Sequence, residues 1–265
     1  MIDRIFKTVS KLGRWGISTA KGVAEFMRFS WSVFASIKHI RALQFRSLYT
    51  TIVNQTLFTG VHALKLVLII STLIGGTVII QAMKNLPKFG IEEFLSNLLV
   101  IIIAREFGPL ATALIVISRS GSAIAAEIAT QKQNMEIRSL ELMGIDTRLY
   151  IVLPRIIASI IAIFSLIVLF DLAAFMGGYL IALTTIYIPV DQFMQGLMMA
   201  FSIDDLVVTA IKSIVYGLLI PLICCYYGFK PTSSFQIPIF VSKAVMTTLL
   251  VVFVINAVLS VLFYL

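Results

Sequence analysis

Four ionisable residues interrupt stretches of the sequence that are otherwise apolar: Arg105, Glu106, Asp171 and Lys212. If those stretches cross a lipid bilayer, each charge is costly there and needs a partner. At about 1.5 Å of rise per residue, Glu106 lies roughly 18 Å and Lys212 roughly 9 Å below one membrane face, and Asp171 lies about 22 Å above the other. Helix tilt can close these gaps, so the spacing predicts a Glu106–Lys212 ion pair with Asp171 or Arg105 nearby.

Two roles are open for such a pair. It could be a polar element that lines a substrate cavity, or it could lock helices together, and a buried pair by itself does not decide between them. The sequence contains no GxxxxGK[ST], HExxH or GxSxG pattern. His39 and His62 have no catalytic partner nearby in the sequence. We therefore expect no catalytic residue, no metal and no cofactor bound by this chain itself.

The composition explains why these stretches should lie in lipid. Of the 265 residues 59% are hydrophobic and 13% are charged, and the mean hydropathy is +1.01. Soluble domains carry about 25% charged residues, so this chain has too few to cover a water-facing surface. The net charge of +8 points to anionic lipid headgroups rather than to nucleic acid. Cys224 and Cys225 are expected to be small buried residues without a disulfide.

Five stretches are long and apolar enough to cross a bilayer as helices, which needs about 20 residues each. We predict an all-α integral membrane protein, a single domain over residues 1–265 with a transmembrane bundle in 57–265. Residues 1–50 are predicted to form amphipathic interfacial helices at the cytoplasmic face, with Ile5, Phe6, Val9 and Leu12 on one side; a basic tail that only sets topology is the alternative. The predicted spans are Leu57–Met83, Phe94–Ser118, Ile156–Leu183, Leu206–Phe229 and Ile239–Leu265.

The orientation follows from the basic residues between the spans, which favour the cytoplasmic side. With the N-terminus cytoplasmic, that side receives sixteen Lys and Arg and the other side receives two, Lys84 and Lys88. The 184–205 connection, which has aspartates and no basic residue, then lies on the far side. Two glycine pairs, Gly75-Gly76 and Gly177-Gly178, predict close packing between the first and third spans.

The segment from Arg119 to Pro154 is long for a loop and has a helical pattern. Apolar and charged residues alternate over two turns, and Gly144 is a plausible helix stop. A short amphipathic helix at the membrane surface needs something to pack on, and its mixed charge favours a cytoplasmic protein. The residues of this predicted docking helix are Met135, Glu136, Arg138, Leu140, Glu141, Met143, Gly144 and Asp146.

The same part of the chain resembles a known family. The matching runs are Arg105-Glu106-Phe107-Gly108-Pro109-Leu110, then Ser118-Arg119-Ser120-Gly121-Ser122-Ala123-Ile124-Ala125-Ala126-Glu127-Ile128, then Met135-Glu136-Ile137, Leu140-Glu141-Leu142-Met143-Gly144-Ile145-Asp146 and Leu153-Pro154-Arg155. This pattern is similar to the MlaE (YrbE, TGD1) permeases of ABC-type lipid transporters. Chain length, the basic N-terminal segment and the five spans agree with that resemblance.

The resemblance implies a homodimeric permease in the bacterial inner membrane that moves phospholipids between the inner and outer membranes. It implies a cytosolic ABC ATPase that binds ATP and Mg²⁺, a periplasmic MCE-domain protein and room for a small STAS-type accessory protein. It places ATPase coupling on the 135–146 helix and the lipid cavity near Glu106 and Lys212. The chain departs from the family pattern at three places. Ser118 stands where the family has glycine, and Asn256 stands where an acidic residue is common. The 230–243 loop is poor in glycine.

Three other functions are weighed against this one. A secondary transporter or channel would use the intramembrane charges as ion or proton sites. A lipid-modifying enzyme would need motifs that the sequence lacks. A structural anchor would hold a complex together without moving anything. Lipid movement by the purified chain without an ATPase would favour the first. Loss of ATPase association in Glu141 and Arg138 variants would support the docking role, and intact association would argue against it.

Overall fold

The computed structural model describes residues 21–36, 45–85, 100–185 and 190–264. Every secondary-structure element in these ranges is a helix, and five helical segments are long and apolar enough to cross a membrane. They run over Tyr49–Ala82, Val100–Gln133, Arg148–Thr184, Ile203–Gly228 and Ser234–Phe263. The all-α fold with five spans predicted from the sequence is confirmed.

The helices are numbered along the chain. Helix α1 covers residues 21–36, α2 is Phe45–Thr56 and α3 is His62–Asn85. The second span contains α4, Gly108–Val116, and α5, Ser122–Gln133, and it is followed by the short α6, Glu136–Leu142. The remaining helices are α7, α8, α9 and α10, which are Leu153–Thr185, Val190–Ala200, Ile203–Gly228 and Ile237–Tyr264.

Four short π-helical segments are built into the first three spans. They cover Leu57–Val61, Val100–Phe107, Ile117–Gly121 and Arg148–Val152. A π turn shifts the helical hydrogen-bond pattern and frees backbone groups for other partners. Arg119 in the third segment donates from Nη1 to the carbonyl of Phe58 in the first, at 3.2 Å. The irregular turns of the first and second spans are therefore joined to each other.

Several predicted boundaries were wrong. The second span does not end at Ser118, because the helix continues through α5 to Gln133 and packs against the fourth and fifth spans. The first span begins earlier than Leu57, since α2 runs directly into it. The 184–205 connection is not simply a loop, because it contains α8. Other features predicted from the sequence lie outside the described residues. They are the start of the second span at Phe94, the basic residue Lys88, the end of the fifth span at Leu265, and the interfacial residues Ile5, Phe6, Val9 and Leu12.

The bundle has two chemically different ends. The end at α6 carries Lys132, Arg138, Arg148 and Lys230, and we call it the basic end. The end at α8 carries Asp191, Asp204 and Asp205, and we call it the acidic end. Which end faces the cytoplasm follows from the positive-inside rule and stays a prediction.

The first and third spans pack backbone to backbone through their glycines, as predicted. A Cβ built on Gly177 would lie 2.7 Å from the Thr72 carbonyl oxygen, and one on Gly75 would overlap the carbonyl of Ala174. Small residues permit such close approach, and dispersion contacts between the helices replace a hydrophobic driving force that lipid does not supply. This contact fixes the third span against the first.

Helix α1 packs against the basic end of the fourth span. The rings of Phe26 and Phe29 lie 5.4 Å and 5.7 Å from that of Tyr226, centroid to centroid. Lys230 Nζ lies 3.3 Å from Glu25 Oε2 and 4.3 Å from the Tyr226 ring centroid. That α1 also lies along a membrane surface stays a prediction. Trp31, on this helix, is exposed.

The Glu25–Lys230 contact gives α1 a pH-dependent hold. The hydrogen bond and charge of Lys230 lower the pKa of Glu25. A carboxyl whose pKa is lowered in the folded protein stabilises the contact fully when the pH is above the ordinary pKa of that group. This stabilisation is lost as the pH falls through the lowered pKa. A spin label at position 27 should become more mobile in wild-type protein as the pH is lowered past the ordinary pKa of a glutamate and on through the lower pKa of Glu25, and Glu25→Gln should show the higher mobility already at pH 7. Equal mobility at pH 7 in Glu25→Gln and the control Glu136→Gln would contradict this.

Candidate functional site

A polar cluster joins the second, fourth and fifth spans inside the bundle. Lys212 is fully buried, and its Nζ lies 3.4 Å from Glu106 Oε1 and 2.6 Å from the carbonyl oxygen of Arg105. The Ser260 hydroxyl donates to Glu106 Oε1 and lies 3.3 Å from Lys212 Nζ. The structure therefore brings Glu106 and Lys212 together, as the sequence predicted.

Asn256 and Tyr216 extend this cluster. Asn256 Nδ2 donates to Glu106 Oε2 at 3.0 Å, and the Tyr216 hydroxyl donates to Asn256 Oδ1 at 2.7 Å. The amide of Asn256 can donate to the Glu106 carboxylate. An acidic side chain at position 256 would repel Glu106 unless one of the two carboxyls carried a proton. With Asn256 in place of the acidic residue that is common in the resembling family, the cluster contains one acid and one base instead of two acids and one base.

Arg105 turns away from its neighbour Glu106 and towards the acidic end. Its Nε lies 2.7 Å from Asp205 Oδ1, and its Nη2 donates to Asp205 Oδ2 at 3.3 Å. Such a two-pronged contact with a carboxylate is geometrically specific. Asp205 also caps the fourth span, because Ser202 and Asp205 bond to each other's backbone N–H groups. The pair ties the second span to the start of the fourth.

Asp171 lies apart from the other three charges. Its side chain is 7% exposed and reaches the backbone of the second span at Gly108, where a Cβ would overlap the carboxyl oxygen Oδ1. Among the described residues Oδ1 has no hydrogen-bond partner. The sequence predicted Asp171 or Arg105 near the Glu106–Lys212 pair. Arg105 is the one found there, because its carbonyl accepts a hydrogen bond from Lys212, whereas Asp171 lines a different space.

That space is an apolar cavity of about 550 Å³ near the acidic end. The third span, α8 and the start of the fourth span form its walls. Glu106 and Lys212 do not line it. The lining residues are Val100, Val168, Asp171, Leu172, Phe175, Met176, Tyr179, Val190, Phe193, Met194, Leu197, Met198, Phe201, Leu206 and Thr209.

The predicted docking helix exists and is exposed at the basic end. Met135 precedes α6 with a left-handed φ of 62°, and Gly144 follows it with φ 76°, so both ends turn sharply. Ile137 is buried, whereas Met135, Glu136, Arg138, Glu141 and Met143 are exposed and Leu140 is half-buried. Leu142 is 82% and Met143 is 74% exposed. An apolar surface therefore stands free at the tip of the hairpin between the second and third spans.

The hairpin that carries α6 is tied at its base. Arg155 is buried, and its Nη2 lies 2.8 Å from Glu127 Oε1 while its Nη1 donates to the carbonyl of Ile151. Asp146 accepts a hydrogen bond from the Ser36 hydroxyl of α1 at 2.6 Å. A movement of α6 would therefore be transmitted to the second and third spans through the Arg155–Glu127 ion pair, and to α1 through the hydrogen bond between Asp146 and Ser36.

The sequence interpretation missed Asp205, Tyr216 and Ser260. Asp205 could have been found from the sequence, because Ser202 and Asp205 have the spacing of a capping box. That spacing predicts that the carboxylate lies in the first turn of a helix. Tyr216 and Ser260 carried no such signal. Single hydroxyls occur throughout apolar helices, and only the packing of helices shows which of them face a charge.

Comparison with known proteins agrees with this architecture. Residues 52–262 match the family described as Permease MlaE. A probable ABC transporter permease protein of Rickettsia typhi is 31% identical over 218 residues, 82% of each chain. The intermembrane phospholipid transport system permease protein MlaE of Haemophilus influenzae is 29% identical over 235 residues, 87% of each chain. The chloroplastic protein TRIGALACTOSYLDIACYLGLYCEROL 1 of Arabidopsis thaliana is 28% identical over 78% of this chain and 59% of its own length.

Five membrane spans, a hairpin with an exposed tip and these relatives define the class: the protein is the membrane-spanning permease component of an ABC transporter. Within that class the chain belongs to the MlaE permease family.

Proposed function

We propose that this chain is the permease subunit through which a separate cytosolic ATPase drives phospholipid movement between the inner and outer bacterial membranes. The basic end faces the cytoplasm in this proposal, and α6 receives the ATPase. The ATP and Mg²⁺ belong to that partner. A second copy of the chain, a periplasmic MCE-domain protein and a small STAS-type protein complete the assembly.

The observation that carries the proposal is the exposed apolar tip at α6. Leu142 and Met143 are large apolar side chains held in the open at the end that the positive-inside rule assigns to the cytoplasm. Exposed apolar surface outside the spans marks an interaction site. Glu136, Arg138 and Glu141 surround it with both signs of charge, which fits a protein partner better than an anionic lipid surface.

The ties at the base of the hairpin explain how docking could act on the membrane part. ATP binding moves the partner, and α6 moves with it. The Arg155–Glu127 pair and the Asp146–Ser36 hydrogen bond carry that movement to the spans and to α1. The permease then alternates between two arrangements of its spans, as a two-state element biased by its partner. In this proposal the polar cluster at Glu106 and Lys212 meets a lipid headgroup in one of these two arrangements.

The test is co-purification of the partner ATPase with full-length permease variants. Leu142→Asp and Met143→Asp should each weaken association at least tenfold, because an aspartate cannot enter an apolar docking pocket without a large desolvation cost. Met199→Asp is the matched control, since Met199 is 86% exposed but lies at the acidic end. Undiminished association in both α6 variants would refute the docking role, and lipid movement by the permease alone in vesicles would favour an ion-driven transporter.

A further inference from the structure

Basic side chains without an acidic partner lie on the outside of the first span, near its start. Lys65 and His62 are exposed on α3, and Arg119 of the second span is half-buried against that span. The four ion pairs among the described residues all involve other cations, so Lys65 and Arg119 have no carboxylate partner there. Basic side chains at membrane depth are costly and need an anionic or polar partner. These two point to an anion from outside the described chain.

The side chain of Phe58 holds Arg119 and His62 in one neighbourhood. Arg119 Nη1 donates to the Phe58 carbonyl at 3.2 Å, and its Cζ lies 5.8 Å from the centre of the Phe58 ring. The His62 ring lies edge-on to the same phenyl ring, 6.1 Å between centroids. The other N–H donors of Arg119 have no partner in the described part of the chain and are not enclosed, so they can bind an anion.

Lys65 joins this neighbourhood through the geometry of α3. It follows His62 by three residues, and side chains at that spacing are neighbours on a helix surface. A long side chain on a helix also points back towards the helix N-terminus, which here is the direction of His62 and Phe58. We call Arg119, His62 and Lys65 the basic cluster.

The height of the basic cluster matches the headgroups of one leaflet. The first span runs in the same direction as the third, because their glycine contacts follow one another in the same order, and so it starts at the basic end. His62 lies about 12 Å and Lys65 about 7.5 Å from the middle of the apolar stretch 57–83. Half of a hydrocarbon core is about 15 Å thick, and a lysine extends its ammonium group towards the interface. Lipid phosphates lie at that boundary.

An apolar stripe continues from the basic cluster towards the middle of the bilayer. It consists of Leu66, Ile69 and Leu73, which are 45%, 51% and 64% exposed. Their spacing of three and four residues continues from His62, so all lie on one face of α3. The stripe can contact an acyl chain of the same molecule whose phosphate meets the basic cluster. A soluble acidic protein would have to enter the hydrocarbon to cover both, so a lipid fits this surface better.

We propose that the basic cluster binds an anionic phospholipid from the leaflet at the basic end. Lys65 and Arg119 hold the phosphate through charge-assisted hydrogen bonds, and His62 supplies a further ring nitrogen. A headgroup with a net negative charge is preferred, because choline or ethanolamine would place another cation among the basic side chains. About 20 Å of helix separates Arg119 from Glu106. The site is therefore distinct from the Glu106–Lys212 cluster, and it does not depend on the proposed ATPase-driven transport.

The experiment uses the full chain, without ATPase, in nanodiscs of phosphatidylcholine. The probes are phosphatidylglycerol and phosphatidylcholine that carry the same photoactivatable group in one acyl chain, and labelled peptides are mapped by mass spectrometry. Labelling of residues 57–73 should be at least about fivefold stronger with phosphatidylglycerol, since each basic residue near an anionic lipid contributes about fivefold. Excess inorganic phosphate should not reduce this labelling. Displacement by inorganic phosphate would show that the cluster binds a free anion, and would overturn the proposal.

Exposed variants test the residues without disturbing the core. Lys65→Gln should lower the preference for phosphatidylglycerol about three- to fivefold, and Lys65→Arg should keep it. Lys243→Gln is the matched control, because Lys243 is also exposed at the start of its span but lies on the fifth span. It should leave the labelling of residues 57–73 unchanged. Equal labelling of these residues by the two probes would overturn the proposal, and so would an equal preference in Lys65→Gln and Lys243→Gln.

Discussion

Replacing Lys212 by Met is expected to lower the free energy of unfolding by about 3 kcal/mol, because it leaves the Glu106 carboxylate inside the bundle without its cation. The value is at the lower end for a buried pair, since the Glu106 side chain is still 35% exposed. Ser260 and Asn256 would remain as neutral donors. In a thermal unfolding scan of the detergent-solubilised protein, the apparent Tm should fall by about 6–12 °C.

Two further variants separate the roles of this pair. Lys65→Met makes the same change at an exposed position of the first span and should leave Tm unchanged. The double variant Glu106→Gln/Lys212→Met removes both charges and should recover most of the lost stability. If the double variant is stable and still transports lipid, the pair only locks helices. If it is stable but inactive, the charges act on the substrate. An unchanged Tm in Lys212→Met alone would show that the contact contributes nothing.

The second large effect is expected at the contact between the first and third spans. In Gly75→Ala the new methyl group would overlap the Ala174 carbonyl, so the two helices must separate or bend. Overpacking of this kind costs about 1–3 kcal/mol, and we expect the upper part of that range because the obstructing atoms are backbone. Thermal unfolding should show an apparent Tm several degrees below wild type.

Gly60→Ala supplies the matched control within the same span. A Cβ at Gly60 would lie 3.5 Å from the Ala162 Cβ, which is ordinary contact. This substitution should be neutral within about 0.5 kcal/mol. If Gly75→Ala were as stable as Gly60→Ala, the glycine pair would not determine how closely the spans approach, and the helix contact would have to rest on other residues.

Much of the architecture could be predicted because each feature is local. A run of apolar residues long enough to cross a bilayer must be helical, since lipid offers no partner to backbone N–H and C=O groups. The five spans, the exposed α6 and the stop at Gly144 follow from such runs and from the residues that end them. The boundary at Ser118 was wrong because the helix continues past the apolar run into α5, where hydropathy no longer marks it.

The charges show where local reasoning ends. Depth along a helix can be read from residue counts, and together with helix tilt it led to the prediction of a Glu106–Lys212 pair, which the structure contains. The direction in which a side chain points depends on how each helix is rotated against its neighbours. That rotation sends Arg105 to Asp205 at the start of the fourth span, although Glu106, the next residue, contacts Lys212 farther along the fourth span and Asn256 and Ser260 on the fifth.

Hydropathy and helix geometry act residue by residue, so the amino-acid order is enough to predict that this protein lies in a membrane, which helices cross it and that an exposed element joins two of them. The contacts of Asn256, Tyr216 and Ser260 around Glu106, and the separate apolar cavity at Asp171, become visible in the folded chain. The reason is physical: these contacts arise between helices far apart in the chain, and packing rather than sequence spacing brings them together.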